Sequence, residues 1–152
     1  AQTRRGTQIE FGPTPIAALG ATDQHSQIQL YMEGPRDKVH TFIEIETFTQ
    51  KSLRLPSLAK EYGPMYDLSK RPLQDVIHAE RAATAEALAS SGRPNGTLFL
   101  PKLDAYHLGE LFQFFMLATA YLGELFDINA FDQPGVEEGK RRFWDKLPKG
   151  NK

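Results

Sequence analysis

The sequence contains no cysteine. Disulfide frameworks, thiolate metal sites and cysteine nucleophiles are therefore excluded, and a reducing, cytoplasmic location suits such a chain. An excess of charge of one sign is missing as well. The 18 basic and 19 acidic residues are mixed along 152 positions, giving a formal net charge of −1. Without a basic stripe there is no footprint for nucleic acid, and without an acidic block there is no solvating tail. Long apolar runs are also absent. Residues 111–122 are the most apolar stretch, interrupted by Gln113 and Thr119, whereas a membrane span needs about 20 predominantly apolar residues. The stretch reads as a buried helix, and no membrane partner is expected. Residues 1–6 are polar and basic, with no apolar core of a signal peptide behind them. What is present is 40% apolar residues and 11% aromatics, enough for the core of one domain or a large piece of one.

Punctuation by glycine and proline divides the chain. Gly6, Gly12, Pro13 and Pro15 mark an irregular opening segment. Residues 23–33 lack breakers and form a short helix, stopped by Gly34-Pro35. Residues 39–45, rich in β-branched and aromatic side chains, read as a strand with Val39, Thr41, Ile43 and Ile45 on one face. Pro56 and Gly63-Pro64 punctuate a surface connection. The spacing of Leu73, Val76, Ile77, Ala83, Ala87 and Leu88 predicts a helix over 72–91, with Pro72 in its first turn and Gly92 as terminator. Arg93-Pro94-Asn95-Gly96 is loop chemistry, and residues 97–103 make a second strand. Asp104 caps a helix running to about Phe126, apolar nearly all round and so expected to be buried on most sides. A last helix runs from Pro134 towards Lys146. Alternating helices and strands imply an α/β fold with a helix-rich carboxy-terminal segment, although two strands are few for a self-sufficient sheet.

Three places could carry chemistry. In Gly20-Ala21-Thr22-Asp23-Gln24-His25-Ser26 a flexible backbone position is followed by a hydroxyl, a carboxylate, an amide and an imidazole. An imidazole exchanges protons near neutral pH. The plainer explanation is an Asp or Thr cap with His25 in the first turn. In Phe131-Asp132-Gln133-Pro134-Gly135-Val136-Glu137-Glu138-Gly139-Lys140, Gln133 and Lys140 lie seven residues apart, almost above one another on a helix. Backbone donors and a lysine there suit an anionic or hydroxyl-rich ligand. Equally, Asp132 can act as a cap followed by Glu137–Arg141 and Glu138–Arg142 pairs, an arrangement that leaves Lys140 without an evident partner. The remaining histidines, His40, His78 and His107, show no metal-ligand spacing, and His78 beside Glu80 and Arg81 reads as solvated. No metal is expected.

The run Gly123-Glu124-Leu125-Phe126-Asp127-Ile128-Asn129-Ala130-Phe131-Asp132-Gln133-Pro134-Gly135-Val136-Glu137-Glu138-Gly139-Lys140 resembles the carboxy-terminal signature of glucose-6-phosphate isomerases along its whole length. The run from Gly20 through His25 to Pro35 is similar to the segment carrying that family's active-site histidine, in its bacterial form. The resemblance implies a sugar-isomerase (SIS) type three-layer domain with a parallel sheet. It implies interconversion of glucose 6-phosphate and fructose 6-phosphate in glycolysis and gluconeogenesis, without metal or cofactor. It gives His25 and Lys140 roles in opening the sugar ring, and Gln133 a contact with substrate. It also implies a homodimer in which the histidine is donated across the subunit boundary.

One departure concerns extent. The family's phosphate-binding Ser/Thr loop, catalytic arginine and base glutamate belong upstream of the matched region. Glu10 is the only glutamate before His25, and its neighbours do not match the motif around that base. Residues 1–152 are therefore expected to be the carboxy-terminal part of an isomerase, inactive alone and partnered by the missing amino-terminal portion. The competing expectations are a non-catalytic interaction or assembly module retaining the family scaffold, and another sugar-phosphate isomerase or binding protein of the same fold group.

Overall fold

A computed structural model describes residues 2–10, 12–48, 50–131 and 134–148. The chain is α/β and divides into two compact units, one of residues 15–108 and one of residues 1–14 with 109–152. In the first unit helix α1 spans Thr22–Glu33 and strand β1 spans His40–Thr47. A 3-10 segment, Lys60–Leu68, is broken at Gly63, where φ is 59°. Helix α2, Leu73–Ser90, and strand β2, Asn95–Lys102, follow. The strands pair in parallel from His40↔Asn95 to Thr47↔Lys102. Parallel strands need a long crossover, which α2 supplies, so β1, α2 and β2 form a βαβ unit.

Helix α2 ends as its sequence predicts. Gly92 adopts φ 68°, the Gly92 amide donates to Ala89 O at 2.9 Å and the Arg93 amide to Leu88 O at 2.8 Å. That pair of bonds is a Schellman stop, in which a left-handed residue lets the last carbonyls find donors. The helix packs on β2. Leu88, 1% exposed, and Leu100, 6% exposed, are the buried apolar side chains among the described residues. The rest of the α2 stripe is less covered, with Leu73 and Ile77 exposed.

Three local expectations need correction. Asn95 and Gly96 belong to β2 rather than to a loop, because the His40 amide donates to Pro94 O at 3.0 Å and draws the backbone into register. Thr41 and Ile43 do share a face of β1, but it is the exposed one, with Ile45 farther along it half-buried and Val39 lying before the strand; His40, Phe42 and Glu44 lie on the covered face. There the His40 ring packs against Tyr31 of α1 with centroids 4.6 Å apart, and Glu44 pairs with Arg81 of α2. His78, read as solvated, is instead half-buried. Its Nε2 lies 3.0 Å from Ile45 O, and since a carbonyl only accepts, that nitrogen carries the proton.

Helix α3 spans Ala105–Leu125. Asp104 caps it as expected, accepting from the His107 amide at 2.9 Å and contacting His107 Nδ1 at 2.6 Å. The His107 backbone N–H, with Lys102 and the His107 ring, holds the Asp104 carboxyl well below the usual carboxylate range. The expectation that α3 is buried on most sides does not hold: Phe112, Met116 and Tyr121 are 60%, 66% and 69% exposed. Apolarity all round means that a helix requires neighbours, not that the same 152 residues supply them. Among the described residues no helix is long and apolar enough to cross a membrane.

In the second unit α3 ends in another Schellman stop. The Ile128 amide donates to Gly123 O at 2.9 Å and the Asp127 amide to Glu124 O at 3.0 Å, with Asp127 at φ 55°. A Cβ on Gly123 would lie 2.6 Å from the Ala130 Cβ, so only glycine permits the chain to fold back this closely. Glu124 is gripped by Arg4 through both guanidinium Nη atoms. Helix α4 then spans Pro134–Lys146, as the sequence predicts.

Candidate active-site segments

His25 lies in the first turn of α1, and its side chain is exposed. The expected Asp or Thr cap is not there. Ala21 occupies the N-cap position without a side-chain hydrogen bond. Asp23, already inside the first turn, reaches backwards instead. Its Oδ2 accepts from the Leu19 amide at 2.5 Å, while its own amide donates to Leu19 O at 2.9 Å. Ser26 Oγ donates to Asp23 Oδ1 at 3.3 Å. The Leu19 N–H chiefly, with Gln27 and Ser26, holds the Asp23 carboxyl below its ordinary range. The far end of α1 is tied down separately. Arg93, only 6% exposed, donates from Nη2 to Met32 O at 2.6 Å and to Gly34 O at 2.8 Å. Carbonyls here lie at the negative end of the helix, which suits a buried guanidinium. In these bonds the backbone itself, rather than a carboxylate, receives the cation.

Lys140 lies on α4. It is not without a partner: its Nζ sits 2.6 Å from Glu137 Oε1, three residues earlier. Glu137 therefore turns to Lys140 rather than to Arg141, and Glu138 takes both Arg141 and Arg142. The Lys140 pair is 62% and 65% exposed, and helix pairs of this kind contribute about 0.2–0.5 kcal/mol. That is too little to withhold the ammonium from a better acceptor. Lys140 also shares a helix face with Val136 and Phe143, about 40° and about 60° away at about 100° per residue, and both are exposed. A lysine on the apolar face goes wherever that face docks. Gln133, the expected substrate contact, and Asp132, its expected cap, lie outside the described residues. His25 and Lys140 belong to different units of the chain.

The sequence did not point to the polar network on the covered face of β1. Arg81 Nε bonds Glu44 Oε2, His78 Nε2 lies 4.0 Å from Glu44 Oε1, and the Arg81 guanidinium sits 5.6 Å from the Phe99 ring centroid. Glu44 and Arg81 are 37 positions apart, so no local spacing betrays them. Every group in the network has a partner within the sheet–helix contact, which is the arrangement of a structural brace. A pocket of about 390 Å³ at the end of β1 is lined by Phe48, Lys51, Ser52, Arg54 and Gln74 among others, and its lining includes neither His25 nor Lys140. Among the described residues no cluster of three or more His, Asp or Glu side chains could hold a metal ion.

Comparison with known proteins bears on both segments. Residues 3–147 match the family described as phosphoglucose isomerase. The glucose-6-phosphate isomerase of Carboxydothermus hydrogenoformans is 46% identical over 144 residues, covering 95% of this chain and 31% of that protein. That of Rubrobacter xylanophilus is 43% identical over 136 residues, covering 90% and 31%. A crystal structure of a hypothetical protein from Thermus thermophilus superposes with a TM-score of 0.85 at 39% identity, covering 98% of this chain and 35% of that one. The chain thus spans about a third of the length of these relatives. With the family match running through both motif-bearing segments, the chain belongs to the phosphoglucose isomerase family.

Proposed function

We propose that the chain is the carboxy-terminal part of a glucose-6-phosphate isomerase and supplies the groups that open the sugar ring. His25 exchanges the proton between the ring oxygen and the anomeric hydroxyl, Lys140 donates to the ring oxygen as its charge changes, and Gln133 fixes a sugar hydroxyl. Imidazole suits a proton shuttle at neutral pH, and ammonium and amide are donors able to stabilise developing charge on oxygen. Transfer of hydrogen between the first two sugar carbons needs a base outside these residues, and capture of the phosphate needs hydrogen-bond donors outside them. Activity therefore requires the remaining two thirds of the fold, and a second copy completes the site.

The observation that carries this reading is the unbroken family match over residues 3–147, which takes in both the His25 and the Lys140 segments. The exposed imidazole adds support, because a His25 side chain open to solvent is free to meet a ligand. The test compares substrates in a complete isomerase containing this chain. His25→Ala should slow reaction of the closed-ring sugar phosphate by about 10²-fold or more and leave the open-chain form nearly unaffected. Equal losses on the two forms would make His25 structural.

A further inference from the structure

The loop that leads into α1 has a backbone conformation few residues tolerate. Ala21 stands at φ 66°, ψ −58°, a γ-turn region that L residues occupy only where their surroundings impose it. The surroundings here are two bonds. Asp23 Oδ2 accepts from the Leu19 amide at 2.5 Å, and the Asp23 amide donates to Leu19 O at 2.9 Å. Together they close a ring over Gly20, Ala21 and Thr22. Leu19, Gly20, Ala21 and Thr22 are all exposed, and a Cβ added at Gly20 would meet nothing within 4 Å, so packing does not hold this turn. Asp23 does.

We propose that Asp23 is a positioning residue for His25: by clamping Leu19 through both its carboxylate and its amide, it fixes where α1 begins and hence where the imidazole two residues later is carried. This rests on the ring-opening role proposed for His25. The physical link is short. A first helical turn lacks intrahelical partners for its N–H groups and is the part of a helix that frays. Each residue of slippage at the start rotates a side chain by about 100° and shifts it by about 1.5 Å. Displacements of about 1 Å in a reacting group can lower rate by about 10²-fold. Ser26 Oγ, donating to Asp23 Oδ1 at 3.3 Å, steadies the carboxylate from the following turn position.

The alternative role for an acidic residue here is generic, an anion near the positive end of a helix. Substitutions separate the two. Asp23→Asn keeps the acceptor and loses the charge; Asp23→Ala loses both; Asp23→Glu keeps the charge but moves the acceptor outwards. In a complete isomerase containing this chain, Asp23→Ala and Asp23→Glu should each slow the closed-ring reaction by about 10–10²-fold while the open-chain reaction stays within about twofold. Asp23→Asn should retain most of the closed-ring rate, and its retention keeps the test informative if the alanine variant folds poorly. Asp23→Ala losing both reactions equally, or Asp23→Asn failing as badly as Asp23→Ala, would overturn the positioning role. His25→Ala, measured alongside, distinguishes the layers. If it is selective for the closed ring and Asp23→Ala is not, the role of His25 stands and that of Asp23 falls. If His25→Ala is itself unselective, both fall.

Discussion

In a complete isomerase carrying this chain, Lys140→Ala is expected to lower turnover by about 10²–10³-fold, the usual cost of removing one positioned donor or proton-transfer group, with little change in melting temperature. The stability half follows from the geometry of α4. Lys140 is 62% exposed and its ion pair with Glu137 is equally open to water, so its loss should cost no more than about 0.5 kcal/mol. The activity half rests on the ring-opening role proposed for Lys140, whose helix face is shared with Val136 and Phe143 rather than with Arg141 and Arg142, which pair with Glu138. Lys140→Arg should rescue poorly, since a guanidinium is broader and does not release its proton. Lys146→Ala, on the same helix but outside the signature, is the control and should be nearly silent. Steady-state kinetics on the three variants, with thermal melts, decide the matter. Equal behaviour of Lys140→Ala and Lys146→Ala would remove Lys140 from the site.

Leu88→Ala is expected to be the most destabilising small truncation in the βαβ unit. The side chain is 1% exposed, on a helix that packs against β2, and its carbonyl accepts the Arg93 amide that closes the Schellman stop. A leucine truncated in such a place costs about 2–5 kcal/mol, or very roughly 5–15 °C in melting temperature for a chain of this size. In the same 152-residue chain Met116→Ala should change stability by about 0.5 kcal/mol or less, because Met116 is 66% exposed. Urea titration followed by far-ultraviolet circular dichroism compares them. Similar costs for the two would mean that the core does not centre on Leu88.

The order of elements was legible because each has a local cause. Gly34 and Gly92 end helices where the sequence places stops, Asp104 starts one, and Pro134 opens the last. What was not legible depends on partners distant in sequence. The covered face of β1 carries His40 and Glu44 because Tyr31 and Arg81 meet them there, and the exposed face carries the β-branched residues an isolated strand would bury. Asn95-Gly96 has turn composition, yet parallel pairing with β1 overrides it. Arg93 looks like a loop cation and is buried, because carbonyls at the end of α1 receive it.

For the site, the two motifs named His25, Gln133 and Lys140, but spacing alone did not choose between chemistry and caps. Part of the carboxy-terminal signature has a purely structural cause. Gly123 and Asp127 make the stop after α3, Ala130 folds onto Gly123, and Glu124 anchors Arg4. The Asp23–Leu19 clamp was invisible because it runs backwards from the helix, opposite to the usual cap.

The most direct measurement is isomerase turnover of the 152-residue chain, freed of host enzyme, alone and after refolding with the amino-terminal part of the Carboxydothermus hydrogenoformans relative. The chain alone should give no measurable turnover, the mixture should give it, and the mixture made with His25→Ala should lose it for the closed-ring substrate. Turnover by the chain alone at ordinary enzyme rates, or a stable complex of the two parts with no activity, would contradict the account.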